Sequence, residues 1–480
     1  MDRRAIVKGL AVGAGVCVLP TSAVFARSPI GLPIHELRPI VDAGEANLVL
    51  SHEDQEAYAP FNTRTAKVPC VRILPKTDRA VIGIVEWLRR NSISFSVSGG
   101  GHSFEGLSQS TTAILDLSVM RTVVVDTNRN TVQAAGGAKL GDIYQIIGQA
   151  GYGIPGGSCE TVGVAGLTLG GGYGLFSRAW GMTCDQLISM ELVLADGRKV
   201  LANSQTNPDL YWACRGGGGC TFGVVTNLTY KLHPAETLRT ISVDWEVSQA
   251  TAVKVLRAWQ DWAPIAPKEI TCLIRVERLG NGTIALRCRG HTLGTGAQAN
   301  RELLNLTRIH SPVSSPKVCP RAFPGFVARG ATRTTMKGKS DFVLHPMSEA
   351  GFQALLSGVL NFSPGTMTAI LDPYGGAISD LSDSATAFAH RTNTLFSIQY
   401  YSGESMFEPS SQTRERLRAM KSVYQSMRPH VGMGAFVNYC DLDLPNWEVR
   451  YWGDNLSRLK SVKASYDPED LFQTMQSVSL

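Results

Sequence analysis

PGGSCETVGVAGLTLGGGYGLFSRAWG, residues 155–181, is the stretch on which the reading of this chain turns. Its glycines recur too densely for the interior of a helix or strand. The run is therefore expected to be a loop whose backbone passes close to something flat or anionic. Cys159 stands inside it, where a thiolate would be accessible. Two similar stretches lie on either side. Upstream, Ser98-Gly99-Gly100-Gly101-His102-Ser103 offers successive backbone N–H groups able to wrap a pyrophosphate, with His102 beside whatever the loop holds. Its spacing is not that of a Rossmann fingerprint, and no acidic residue stands where a ribose would need it. Downstream, WACRGGGGCTFGVVTNLTYKL brings Gly216 to Gly219 into an alternating strand. Taken singly, each stretch also fits an ordinary turn or a buried cysteine; the combination argues for a site.

Around these loops the chain reads as two textures. VRIL after Cys70 is a short apolar strand. Thr77 can cap a helix that carries Val81, Ile84, Val85 and Leu88 on one face. Ile93, Phe95 and Val97 alternate as a strand, and AILDL forms another. VVVDTNRNTVQAA and ISMELVLADGRKVLA read as hairpins, with a short helix at 142–147 between them. Beyond Pro234, strands ISVDWEV, TCLIRVE, TIALRCRG, AILDPYGG and LFSIQYY are interspersed with helices near 253–262 and 349–360. That pattern predicts an α+β second unit with an antiparallel sheet and flanking helices. RYWGDNLSRLKSVKASY is expected to be a closing helix.

With 480 residues the chain is too long for one core. Charged residues make up 18% of it and the net charge of +6 is spread without a basic block, so no nucleic-acid partner is expected. Arg3 and Arg4, the apolar run AIVKGLAVGAGVCVLP and the small-residue exit TSAVFA describe a twin-arginine export signal over 1–26. A periplasmic or secreted protein is therefore expected. No later stretch is long and apolar enough for stable membrane insertion. Ten cysteines are present, Cys17 within the signal, so an odd number remains.

A fourth motif, Asn438-Tyr439-Cys440-Asp441, is followed by Trp452, Asn455 and the turn at Tyr466-Asp467-Pro468. With GGHS, SCETVGVAG, GGGYG, RGGGGCTFGVVT, DPYGG, TAFAHR and IQY in this order, the chain from Val68 to Val478 resembles a known family. It is similar to the berberine-bridge-enzyme-like FAD-linked oxidases of the vanillyl-alcohol-oxidase and p-cresol-methylhydroxylase superfamily.

The resemblance implies an FAD-binding domain of two α+β subdomains over 27–236. A substrate domain over 237–435 places an antiparallel sheet over the isoalloxazine, and a segment over 436–480 returns to the FAD lobe. It implies FAD bonded covalently through His102 and Cys159. Cofactor contacts are implied for Ser98, Gly99, Gly100, Gly101, Ser103, Ser158, Thr161, Val162, Gly163, Gly166, Val225, Asn438 and Asn455. The reaction implied is hydride transfer from an alcohol carbon of a sugar, oligosaccharide or secondary metabolite, with O₂ as electron acceptor and H₂O₂ as product; the alternatives are a dehydrogenase, an oxidative ring-forming enzyme acting on a natural product, and a flavin- or ligand-binding protein without turnover. Tyr439 takes the role of base. Gln399 and Tyr401, which share one face of their strand, are expected to orient the substrate, and Asp372 and Tyr374 stand close behind. Val162 falls at the family's oxygen gate, where a small side chain favours oxidases over dehydrogenases. The chain departs from the family pattern at Ser98, where Arg is common, and at Cys220 and Thr221, where Gly and Asn are usual.

Overall fold

The computed structural model describes residues 31–51, 53, 59–236, 238–321, 332–404 and 409–480; the export segment expected at 1–26 lies outside them. Three sheets follow one another along the chain. The first is mixed, with strands Ala46–Leu50, Val71–Pro75, Ala113–Asp116 and Phe95–Ser98 side by side. Its last three strands are parallel and so need a long crossover between them. Helix Asp78–Arg90 supplies it. Thr77 caps that helix by accepting from Ala80 N at 3.1 Å, a cap worth about 1 kcal/mol. Val81, Ile84, Val85 and Leu88 are all buried. Strand Phe95–Ser98 then delivers the chain directly into Gly99–His102.

The second sheet is antiparallel, in the order Val123–Asp126, Thr131–Ala135, Val224–Lys231, Leu187–Val193, Lys199–Asn203. Both expected hairpins lie here. The third is an antiparallel sheet of seven strands: Lys317–Pro320, Arg239–Val247, Ile284–Thr292, Ile270–Arg278, Thr368–Pro373, Phe396–Glu404 and Thr335–Val343. One face of it is covered by helices Gln249–Trp262, Glu349–Leu360 and Ser410–Met427. The opposite face looks toward the glycine loops. The fold class is α+β, as expected, and the change of sheet falls between Pro234 and Arg239.

Three local expectations are corrected. The glycine-dense run is not all loop: Val164–Leu169 forms a helix of 6 residues. Its first amide bonds Ala138 O at 3.0 Å, a tertiary tie that outweighs weak propensity. The closing segment is not one helix. It breaks into Trp447–Trp452 and Leu456–Tyr466 because Gly453 takes φ +48 between them. Strand Thr335–Val343 and helix Ser410–Met427 were not expected from the sequence pattern. In that strand Lys337 and Lys339 are buried, so polar residues occupy core positions.

Candidate active site

Two of the glycine loops meet backbone to backbone. A Cβ on Gly100 would fall 2.2 Å from Gly163 N, and one on Gly163 would fall 2.5 Å from Gly100 N. No side chain fits at either position, so both loops can present bare amides to one ligand. They line a cleft of about 260 Å³ together with Gly136, Gly219, Gly223 and Val225. Gly99, Gly101, His102, Ser103, Val162, Gly166, Asn438 and Tyr439 also face it. Apolar walls come from Val97, Leu107, Leu117 and Leu167. A long cleft with flat apolar walls and a bare-amide stretch suits a dinucleotide with fused rings.

His102 lines this cleft, and Thr161, just outside the lining, stands between His102 and Cys159. The Thr161 hydroxyl is hydrogen-bonded to His102 Nε2 at 2.8 Å and lies 4.0 Å from Cys159 Sγ. Phe61 stacks on the imidazole with centroids 4.4 Å apart. Burial, helped by the Lys139 charge, pulls the His102 pKa down to about 4, so its ring is neutral near pH 7. Burial pushes the Cys159 thiol up, against hydrogen bonding by Thr161.

The seven-stranded sheet packs against the Val437–Tyr439 turn, and none of its described residues, Gln399 and Tyr401 included, lines the cleft itself. Gln399 and Tyr401 project from the same side of their strand. Gln399 is paired in register with Ile370, and Ile370 with Arg275. Asp372 shares that side with Ile370 and is buried. Tyr439 meets this sheet from the C-terminal segment. It stacks on Phe104 at 5.3 Å and sits edge-on to Phe436 at 5.0 Å. Burial raises the Tyr439 phenol, the Asp372 charge raises it further, and Arg275 opposes both. Burial lifts Asp372 to about 7, again with Arg275 opposing. Tyr401 is raised by burial and lies within electrostatic reach of Cys159 and Arg275, which brings it to the same locality. Tyr374 is fully buried and stacks on Tyr173 at 5.4 Å, behind Asp372.

A family model described as FAD binding domain matches residues 69–202, and one described as berberine and berberine like matches 435–479. Berberine bridge enzyme-like Cyn d 4 of Cynodon dactylon is 32% identical over 87% of this chain and 85% of its own length. The chain belongs to the berberine-bridge-enzyme-like FAD-linked oxidoreductases. Solved relatives agree. BBE-like 1 of Physcomitrella patens superposes with a TM-score of 0.85 at 26% identity, covering 92% of this chain and 99% of its own. A chitooligosaccharide oxidase gives 0.83 at 25%, covering 92% and 99%.

For a berberine-bridge-enzyme-like protein the cleft fits FAD, since the bare-amide cradle and the flat apolar walls are both present. Five expected contacts lie away from its lining: Ser98, Ser158, Cys159, Thr161 and Asn455. Ser98 is buried at the end of its strand, and Ser158 is exposed. Asn455 spends its amide on the carbonyls of Asp383 at 2.7 Å, Thr386 and Ala387. Its amide nitrogen braces the TAFAHR loop, a structural tie beside the cofactor role expected of it. His390 does similar work, bonding the carbonyls of Arg450 and Tyr451 through Nε2.

Sequence reasoning missed Arg275, Phe104, Gly136 and a buried ion cluster. Lys337 Nζ lies 2.6 Å from both Glu105 and Asp441, and Lys339 Nζ 2.6 Å from the other Asp441 oxygen. Burial pulls Lys337 down, but Asp441 and Glu105 outweigh it and raise the group to about 12. The cluster ties the loop after His102 to the segment carrying Tyr439. Lys337→Met removes one cation while Arg64 still pairs Glu105 at 2.8 Å and Lys339 still pairs Asp441 at 2.6 Å, so a loss of about 1.5–3 kcal/mol is expected. Denaturant midpoints would show it; an unchanged midpoint would refute the cluster's structural role.

Proposed function

We propose that this enzyme oxidises an alcohol carbon of a small molecule or oligosaccharide and returns the electrons to O₂. Bound FAD supplies the chemistry, accepting hydride from that carbon and releasing the electrons to O₂ as H₂O₂. The observation that carries the reading is Tyr439 in the lining of the cleft with buried Asp372 in electrostatic reach behind it, whose pKa of about 7 suits a proton acceptor near neutrality. Tyr439 acts as a relay: as its neutral phenol takes the hydroxyl proton of the substrate it passes its own proton to ionised Asp372. The Gln399 amide makes no hydrogen bond among the described residues and orients the substrate; it cannot act as a base. Tyr401, within electrostatic reach of Cys159, is a lesser contributor. His102 and Cys159 hold the flavin covalently. Screening sugars, oligosaccharides and phenolic alcohols for H₂O₂ release tests the reading. Substrate that bleaches the flavin without consuming O₂ would make the protein a dehydrogenase instead.

Val162 lines the cleft directly beside Gly163, and its small side chain leaves room for O₂. Val162→Leu is expected to slow reoxidation by O₂ while leaving flavin reduction close to wild type. Stopped flow times the two half-reactions separately, and equal oxygen rates in both proteins would remove Val162 from this role.

Export through a twin-arginine signal is part of the same reading. Its support is the Arg3–Arg4 pair ahead of the apolar run. Replacing both arginines with Lys should leave the protein in the cytoplasm, and unchanged export would refute that route. Among the described residues no helix is long and apolar enough to cross a membrane.

A further inference from the structure

Along the open side of the seven-stranded sheet, one cross-strand row runs Asp244, Arg287, Arg275, Ile370, Gln399, Ser340 in consecutive register. Two arginines therefore stand directly opposite each other. Like charges in that position destabilise a strand pair, so their retention asks for a compensating anion. Arg287 has its own: Glu277 at 3.2 Å and Asp244 at 3.8 Å. Arg289 takes Asp244 at 2.6 Å. Arg275 is half-buried and makes no hydrogen bond or ion pair among the described residues.

Its surroundings explain what such a cation faces. The Arg275 charge is felt by Asp372, Tyr439 and Tyr401, yet it forms an ion pair with none of them. The guanidinium thus stands with one strand between it and Gln399 on the same row, within electrostatic reach of the proposed proton acceptors and unpaired with them. On the row between Arg275 and Gln399 stands only Ile370. A substrate held against this row beside Tyr439 would have a cationic fork within reach of the group being oxidised.

We infer that Arg275 anchors a carboxylate of the substrate, so that the enzyme selects an alcohol that also carries an acidic group. The inference rests on the reading of Tyr439, Asp372 and the flavin cleft as the oxidising site, and adds the charge of the molecule oxidised there. A guanidinium matches a carboxylate with two parallel N–H···O bonds, a geometry that fixes orientation as well as affinity. A neutral polyhydroxylated substrate would be served by amides such as Gln399. It would gain little from a cation kept against the repulsion of Arg287.

The test compares the holoenzyme on pairs of alcohols that differ only in charge, a sugar acid and its methyl ester. The wild-type enzyme should favour the acid by about ten- to a hundredfold in kcat/KM, mostly through KM. In Arg275→Gln the acid-to-ester ratio should collapse toward one. Arg275→Lys should restore part of it, because charge is kept and the fork is lost. An equal kcat/KM for acid and ester in the wild type would overturn the inference. So would a Gln variant that slows both alike, which would make Arg275 a modulator of Tyr439 and Asp372 only.

Benzoate titration, read as a saturable difference spectrum of the flavin, gives an arm independent of turnover. The shift should appear in the wild type, weaken in Arg275→Gln, and be absent with benzyl alcohol. If neither acid nor ester is oxidised but benzoate binds through Arg275, the anion site stands and the oxidation reading fails. If both are oxidised equally and benzoate leaves the flavin unperturbed, the oxidation reading stands and the anion site falls. Retention of the flavin spectrum in both variants shows that they assemble.

Discussion

Replacing Tyr439 with Phe should cut the rate of flavin reduction by roughly 10²- to 10⁴-fold, the factor a lost general base removes. One hydroxyl goes and the ring stays, so the stack on Phe104 and the edge contact with Phe436 are kept. Substrate affinity should change far less, because the missing interaction counts most in the transition state. Asp372 adds a pH signature. Burial raises its pKa to about 7, and only the ionised form accepts a proton. The reduction rate should therefore climb as pH rises through about 7 and then level, and Asp372→Asn should flatten that limb. The stability sign runs the other way. A carboxyl raised from about 3.9 when unfolded favours its neutral form in the fold. Its contribution is greatest below that pH and is lost as pH rises through about 7. Stopped-flow reduction at saturating substrate decides the role. A wild-type rate in Tyr439→Phe would return NYCD to a structural motif.

How much of this was legible depends on distance along the chain. His102, Cys159 and their glycines announce themselves locally, because a bare-amide cradle needs glycine and leaves it in the sequence. The reciprocal approach of Gly100 and Gly163 was not readable, yet both loops were, and only their meeting had to be supplied by the fold. Tyr439 and Asp372 were also marked by short motifs. Arg275 was not. On a strand reading TCLIRVE it takes a polar position of an alternating pattern, and such a residue reads as solvent-facing. Only the register linking Arg275 to Ile370, and Ile370 to Gln399, brings it onto the row of Gln399, within electrostatic reach of the proton acceptors. Lys337 and Lys339 failed to signal for the converse reason. Buried lysines are rare, and their partners Glu105 and Asp441 come from opposite ends of the chain. Asn455 carries a tie that its motif did not announce: the helix break at Gly453 helps turn its amide nitrogen into the TAFAHR loop.

Flavin should remain with the polypeptide after acid precipitation, and only the double variant His102→Ala/Cys159→Ala should release it to the supernatant. The geometry favours two attachments at one ring system. Thr161 touches both residues, at 2.8 Å from His102 Nε2 and 4.0 Å from Cys159 Sγ, so Cys159 lies close behind the corner of the cleft that His102 lines. Phe61 fixes the plane of the imidazole, and burial keeps that ring uncharged at neutral pH, with its lone pair available. The thiol is less ready, since burial raises its pKa, and the thiolate is the nucleophile. Attachment through Cys159 should therefore mature more slowly at low pH than attachment through His102. Each single variant should retain one bond, seen as flavin in the precipitated pellet and as a flavin-bearing peptide by mass. Each should also have a lower reduction potential than wild type and a slower reductive half-reaction. Complete release of flavin from the wild-type protein by acid would sink the covalent reading outright. Release from His102→Ala alone would leave the cofactor held through that residue only and return Cys159 to a half-buried thiol beside the cleft.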